Sequence, residues 1–372
     1  MLAVFTPQLG STFINKHTLR LAPGKTVAVS LSKEPEGGWT VWNDTIPVLY
    51  LEEWMKRPAV RIARRLGLPL DRLRDFVVAQ FLRRHRVTVV LGEFLDWFVQ
   101  FVPLLERLGI PYVVQSHGMD SSAMLRIPEI AQSYLAYKSA KAVLTRNPLH
   151  RRRLIELGLP ESKVHVNIGG VDVPAELPSR PPEASRRFLT IAHMKAKKSP
   201  IYMLEAFRRA VAMDPNITLD YASGGSLFPA ARDFVRACGL TNHVRLHGIV
   251  AEDTKYRLLR ECGTFVLHSL TDPDTGDEEG LPAAIQEAMA YGLPVVSTRH
   301  SGIPQAVVEG VTGLLVDEGD LDALARAMLD VIPRAATMGK AGHREALAKH
   351  TWPLEGARLR GALGLTDSGD VL

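Results

Sequence analysis

Cysteine is nearly absent. Cys238 and Cys262 are the only two in 372 residues, and they stand alone. That excludes a disulfide framework and a cysteine-based zinc site, and predicts reduced core thiols in a cytoplasmic protein. No run of 18 or more apolar residues occurs, so no membrane-spanning helix is expected. The start, MLAVFTPQLG, lacks the basic region, apolar core and cleavage site of a secretory signal, which points the same way. Internal repeats and low-complexity tracts are missing too. What remains is a globular composition, 46% hydrophobic and 23% charged, on a chain too long for one ordinary core. Two domains of about 170 residues fit it.

Charge is divided unevenly. Residues 1–180 hold 24 Lys and Arg against 16 Asp and Glu (+8), whereas 181–372 hold 21 against 24 (−3). Much of the excess lies in 56–86, with a second cluster at Arg151, Arg152 and Arg153. A basic face alternating with Val, Ile, Leu and Phe suits peripheral contact with an anionic membrane or a lipid-diphosphate acceptor, and equally suits a pair of solvated surface helices. No motif that reads nucleic acid accompanies it, so no nucleic-acid partner is expected. Nothing in the pattern specifies an oligomeric state.

The most informative stretch is 264–299, TFVLHSLTDPDTGDEEGLPAAIQEAMAYGLPVVSTR. Thr264–Leu267 reads as a buried strand, Pro282 opens an Ala-rich helix that ends at Gly292, and Pro294–Thr298 reads as the next strand. Together they form one βαβ unit of a parallel sheet. Proline at the first helical position leaves the Gly280 and Leu281 amides ahead of the helix dipole, a setting that favours phosphate. Glu279 stands before that terminus and Glu287 stands eight residues on, at most roughly 12 Å away at helical rise. Spacing alone leaves two readings: a capped helix with two solvated acids, or a diphosphate site with a carboxylate at either end.

Glu279, seven intervening residues and Glu287, within EGLPAAIQEAMAYGLPVVST, resemble the signature of the retaining glycosyltransferases of the two-Rossmann-domain (GT-B) architecture, family 4. The similarity continues through HSGIPQAVVEGVTGLLVDEGD (300–320) and upstream through AHMKAKKSPIYMLEAF (192–207). It is nearest to exopolysaccharide and colanic-acid-type transferases. In the first half it is thinner, resting on the start of the chain, SHGMD (116–120) and GGVD (169–172). The resemblance implies an α/β fold of two doubly wound parallel-sheet domains facing a cleft, with a C-terminal helix crossing back to the first. Proline-rich residues 174–182 place the boundary at 180/181, giving an acceptor domain over 1–180 with a terminal helix at about 353–366, and a donor domain over 181–352.

The chain alternates strand and helix as that fold requires. Strands are expected at 1–6, 26–31, 87–91, 112–115, 142–145 and 164–168 in the first half, and at 188–192, 217–222 and 244–248 in the second. Helices are expected at 12–21, 56–66, 71–84, 97–108 and 148–157. Segment 33–55, with three Trp residues, is expected to cover the acceptor cleft. The resemblance puts Gly10 and Ser11 near the donor phosphate. His117, at the carboxyl end of a strand, lies beside the donor sugar by the family's pattern, although a lone His there also suits a capping role. Asp120 belongs to the same motif.

In the second half, Lys198 takes the position of the family's diphosphate-binding Lys, while His193 stands where the family commonly has Arg. A histidine lacks the guanidinium fork. Lys195 and Lys197 share that loop. Gly224, in Ser223–Ser226, lines the nucleotide pocket by position, and Gly248 precedes a turn whose backbone contacts the base. Asp272-Pro273-Asp274 has the form of a metal-binding Asp-x-Asp, but the resemblance implies metal-independent catalysis and no cofactor. The expected partners are a nucleoside-diphosphate sugar, uridine favoured over guanosine, and a glycan or lipid-diphosphate-linked acceptor. In this reading Glu287 holds the ribose; Gly280, Leu281 and Lys198 hold the diphosphate; Glu279 and His117 address the sugar. Alternatives on the same architecture are a phosphorylase, an epimerase or a non-catalytic sugar-nucleotide binder.

Overall fold

A computed structural model describes residues 1–9, 12–32, 45–366 and 369. The chain divides into two compact units, Met1–Asn167 with Glu355–Leu372, and Ile168–Leu354. The division falls ahead of the proline-rich 174–182 segment at which composition changes. The Gly169–Asp172 turn accounts for this: the Val171 N–H donates to the His350 carbonyl (2.8 Å) and the Trp352 N–H to the Val171 carbonyl (2.9 Å). Those bonds hold the turn in the second unit. At Gly170 an added Cβ would lie 2.4 Å from the Thr351 oxygen, so only glycine admits this contact.

Among the described residues the first unit builds a seven-stranded sheet. Its strands are β1 (Leu2–Gln8), β2 (Thr26–Ser32), β3 (Val48–Tyr50), β4 (Val89–Glu93), β5 (Tyr112–Gln115), β6 (Ala142–Thr145) and β7 (Val164–Val166), in spatial order 3-2-1-4-5-6-7. The second unit builds a six-stranded sheet from β8 (Arg187–Ile191), β9 (Thr218–Ala222), β10 (Val244–Gly248), β11 (Thr264–Leu267), β12 (Val295–Thr298) and β13 (Gly313–Val316), in order 10-9-8-11-12-13. Every pairing is parallel. Strand order reverses between β1 and β4 in one unit and between β8 and β11 in the other. At such a switch point the two flanking crossovers leave on opposite faces, opening a crevice beyond the carboxyl ends of the strands where ligands bind.

The strands are buried on both faces and so are rich in Val, Leu, Ile and Phe. An aromatic cluster anchors the first core: Phe5 meets Phe98 and Phe101 edge-on, and Phe98 stacks on Tyr137. Each such fully buried ring contributes ~1.5–3 kcal/mol.

Differences from the sequence expectations have local causes. β4 runs two residues past Leu91 because Glu93, wholly buried, finds imidazole partners. The helix expected over 97–108 is broken into Leu95–Phe98, a 3-10 turn Val99–Phe101 and Val102–Leu108. Pro103 supplies no N–H to continue it. Cys238 is exposed, so only Cys262 is a core thiol, pushed up to about 12 by burial. Residues 33–44 of the Trp-containing segment lie outside the described residues, as do Gly10 and Ser11. Among the described residues no helix is long and apolar enough to cross a membrane.

Candidate active site

The switch point of the second sheet is flanked by the loop after β8 (192–199) and the loop after β11 (268–282), and most of the site residues expected in the second unit lie on them. Glu279 is buried. Its Oε2 lies 3.1 Å from Lys198 Nζ and its Oε1 lies 3.5 Å from Lys197 Nζ. Burial alone would raise this carboxyl, but the two ammonium groups outweigh it and hold it at about 2. Lys198 is lowered, chiefly by burial. Glu279 Oε1 meets the Lys197 ammonium at 3.5 Å and takes no closer hydrogen bond, so this buried carboxylate keeps acceptor capacity. A hydroxyl-bearing ligand would satisfy it.

Lys197 is more tied down than Lys198. Its ammonium also reaches Asp277 Oδ1 (3.0 Å) and the Glu278 carbonyl (3.2 Å). Lys198 contacts the protein through Glu279, and an ammonium has three donors. Lys198 therefore keeps more donor capacity than Lys197. His193 is exposed at the end of β8. Partial burial of its ring and the neighbouring Lys195 and Lys198 lower its pKa against the pull of the Gly224 backbone, so it is neutral at pH 7.5.

Gly224 and Gly248 scaffold this loop. The Gly224 carbonyl accepts from the Met194 N–H (2.9 Å), and Ser223 bridges to Gly248, whose φ is +67°. Glu287 lies on the helix Ala283–Ala290 and accepts from Lys255 Nζ at 2.8 Å, a partner that no local motif signals. Gly280 and Leu281 precede this helix as expected, but Pro282, at ψ 118°, is its cap and not its first residue. The first helical amide is therefore one residue later, at Ala283. Asp272 folds both carboxylate oxygens into its own turn, accepting from the Asp274 N–H (3.0 Å) and the Thr275 hydroxyl (2.8 Å). Among the described residues no group of three or more His, Cys, Asp or Glu side chains could hold a metal ion.

In the first unit, His117 follows β5 with its ring between Phe13 (4.6 Å) and Phe94 (4.5 Å). Its Nε2 lies 2.6 Å from Glu93 Oε2. Burial lowers the His117 pKa despite Glu93, so the ring is neutral, Nε2 donates, and Nδ1 is an acceptor. Asp120 is structural: Oδ1 accepts from the N–H groups of His117 (2.8 Å) and Gly118 (3.0 Å), and Oδ2 from Leu95 (3.0 Å).

Behind His117 runs a buried ion network that the sequence did not reveal. Glu93 Oε1 accepts from His17 Nδ1 (2.6 Å), His17 Nε2 lies 3.3 Å from Glu355 Oε1, and Arg146 donates to the same oxygen at 2.7 Å. Burial opposes a charge on His17, but Glu93 and Glu355 raise it to about 9; the same network lowers Glu93 to about 2. A raised histidine contributes stability that is complete below its unfolded value near 6.5 and lost as pH passes 9. The depressed Glu93 loses its share only as pH falls from about 4.5 toward 2. Thermal unfolding followed by tryptophan fluorescence should therefore weaken between pH 6.5 and 9, and His17→Gln should flatten that slope. An unchanged slope in the variant would remove His17 from the network's energetics.

Residues 177–344 match the family described as Glycosyl transferases group 1, and residues 43–174 match Glycosyltransferase Family 4. The amylovoran biosynthesis glycosyltransferase AmsK of Erwinia amylovora is 32% identical over 228 residues, 58% of this chain and 56% of that protein. A GDP-mannose-dependent phosphatidylinositol monomannoside mannosyltransferase of Mycolicibacterium smegmatis is 34% identical over 169 residues, 44% of this chain and 43% of its own. The chain thus spans about half the length of the curated relatives it matches. HepE from Anabaena, solved with UDP and glucose, superposes with a TM-score of 0.75 over 97% of this chain and 99% of its own, at 17% identity. That likeness establishes the two-domain Rossmann-like fold.

Proposed function

We propose, from the premise that this chain belongs to the glycosyltransferases of group 1 and family 4, that it moves a hexose with retention from a nucleoside-diphosphate sugar to a glycan or lipid-diphosphate-linked acceptor in exopolysaccharide assembly. The observation that carries this reading is the buried Glu279 carboxylate at the β8/β11 switch point, paired with Lys198 and, at longer range, with Lys197, its Oε1 still short of a close donor. Glu287 accepts hydrogen bonds from the ribose, Lys198 faces the diphosphate, and Glu279 Oε1 accepts from a sugar hydroxyl. His117, its Nε2 engaged by Glu93, offers Nδ1 to a sugar hydroxyl. As the glycosidic bond breaks, charge grows on the leaving diphosphate, where a fixed ammonium in a dry setting has most effect. The acceptor proton passes to the departing phosphate. No metal and no cofactor take part.

AmsK supports the exopolysaccharide setting; HepE, solved with UDP, speaks for a uridine donor and the GDP-mannose-dependent mannosyltransferase for a guanosine one. A thermal-shift screen across UDP- and GDP-sugars tests the reading, because a ligand that binds the folded state raises its melting temperature. A shift with UDP-sugars is expected; silence across the whole panel would remove the donor site.

His193 supplies a second test. His193→Arg should tighten donor binding, since a guanidinium makes two charge-assisted bonds where a neutral ring makes one. At pH 7.5 Lys198→Ala should cost more affinity than His193→Ala. The gap should narrow only below the ordinary histidine range, because the His193 pKa is lowered. A His193→Ala protein equal to wild type both at pH 7.5 and below the ordinary histidine range would take His193 out of the site.

The acceptor's setting follows from the helices Pro58–Arg65 and Leu70–Arg84. The helices and the turn joining them expose Ile62, Leu66, Leu68 and Phe76 among Arg61, Arg64, Arg65 and Arg72. This surface docks peripherally on the anionic cytoplasmic face of a membrane. Co-sedimentation with acidic vesicles should fall as salt rises. Changing Arg61, Arg64 and Arg65 to Gln should weaken it without altering nucleotide affinity, whereas indifference to lipid charge would return the helices to a solvated role.

A further inference from the structure

Residues 300 and 301, just beyond β12, grip the main chain of Glu279 on both sides, one through each of its two peptide units. The Glu279 N–H donates to His300 Nε2 (3.1 Å), and the Ser301 hydroxyl donates to the Glu279 carbonyl (2.6 Å). Ser301 holds φ +44°, a left-handed conformation that serine adopts only when its surroundings over-determine it. Because an N–H donates to Nε2, that nitrogen is bare and the ring proton sits on Nδ1. Nδ1 in turn faces Glu318 Oε1 at 2.6 Å, and Glu318 Oε2 accepts from the Thr271 N–H (2.9 Å). His300 is 1% exposed. Its tautomer is therefore fixed from both ends.

A second imidazole repeats the device beyond β11. His268 Nε2 accepts from the Gly319 N–H (3.1 Å), and its Nδ1 meets the hydroxyl of Ser199, the residue after Lys198. Burial lowers His268 to about 4, so this ring is neutral. Glu318 and Gly319, adjacent on the loop after β13, thus brace one imidazole each, one behind Glu279 and the other behind Lys198.

We propose that His300, held by Glu318 and aided by Ser301, is a positioning residue that sets the Glu279 carboxylate against Lys198 for the sugar, with His268 the matching brace on the lysine side. The inference rests on the role given to Glu279 above. A carboxylate that must meet both an ammonium and a hydroxyl tolerates little displacement, and misplacement by about 1 Å can cost on the order of a hundredfold in rate. His300 touches neither donor nor acceptor and acts only through the Glu279 backbone.

The test compares His300→Ala, His300→Gln and Glu318→Ala in the full chain, with UDP-glucose turnover and UDP affinity read separately; GDP-mannose and GDP serve instead if wild type takes only the guanosine donor. His300→Ala should lower turnover about tenfold or more with nucleotide affinity unchanged, because free nucleotide makes no use of the sugar-facing oxygen. His300→Gln, whose amide oxygen can accept from the Glu279 N–H without titrating, should recover most of the loss. Glu318→Ala should show a smaller loss of the same kind; Glu318 is partly exposed, so this variant folds. In a Glu279→Gln background His300→Ala should add nothing. Full turnover in His300→Ala would overturn the proposal. So would loss of nucleotide affinity and turnover together, unrelieved by Gln, since that is a general structural defect. Wild type that binds no nucleotide of either base would overturn the functional reading itself, and this inference with it.

Discussion

Glu279→Gln should lower sugar transfer by about two to three orders of magnitude and leave affinity for the free nucleoside diphosphate unchanged or tighter. The two effects have one cause. The amide keeps the shape of the side chain but not its charge, so the sugar hydroxyl loses an ionised acceptor that matters most as the ring gains positive character. Lys198, relieved of the anion 3.1 Å away, turns its full charge toward the phosphates. Glutamine is preferred to alanine because its amide oxygen still accepts from the buried lysines, whereas alanine would leave them without that acceptor. Single-turnover kinetics beside calorimetry separates the effects. Equal losses in transfer and nucleotide affinity would assign Glu279 to the diphosphate and not to the sugar.

Glu287→Ala should weaken donor and nucleotide binding alike by at least tenfold, since charged hydrogen bonds to the ribose contribute about 1.5–3 kcal/mol. Lys255 complicates the single variant, because the substitution strands a buried ammonium 2.8 Å from the deleted oxygen. Lys255→Met in the same chain removes that stranded charge. The double variant should regain melting temperature without regaining affinity. Recovery of both would reduce Glu287 to a partner for Lys255.

How far these residues could be read in the sequence depends on how local their signals are. The Glu279–Glu287 spacing and Lys198 each lie within one short segment, and the β8-to-β13 alternation follows from short continuous apolar runs separated by helical periods of 3.6 residues. The His17–Glu93–His117–Glu355 network has no such signature. Its members come from four separate parts of the chain, His17 and Glu355 being 338 apart in sequence, and meet only in the folded unit. A charged strand end such as Glu93 reads as a strand terminus until its partners are known. Lys255 was hidden for the same reason. His300 and Glu318 sat inside the recognised HSGIP–DEGD stretch, but hydrogen bonds through main-chain groups leave no residue pattern to read. The Pro282 boundary moved by one because a proline fixes φ and leaves ψ free, so it serves as cap or first residue equally well.

The central claim is transfer of a sugar from a nucleotide with its configuration kept, and proton NMR of the reaction addresses it directly. The protein would be incubated with the donor selected by thermal shift and a lipid-diphosphate-linked glycan, and the anomeric coupling of the product compared with that of the donor. The account predicts release of nucleoside diphosphate in step with a new glycoside of unchanged anomeric configuration, abolished by Glu279→Gln. Sugar phosphate as product, an epimerised donor, or a donor bound but never consumed would contradict it.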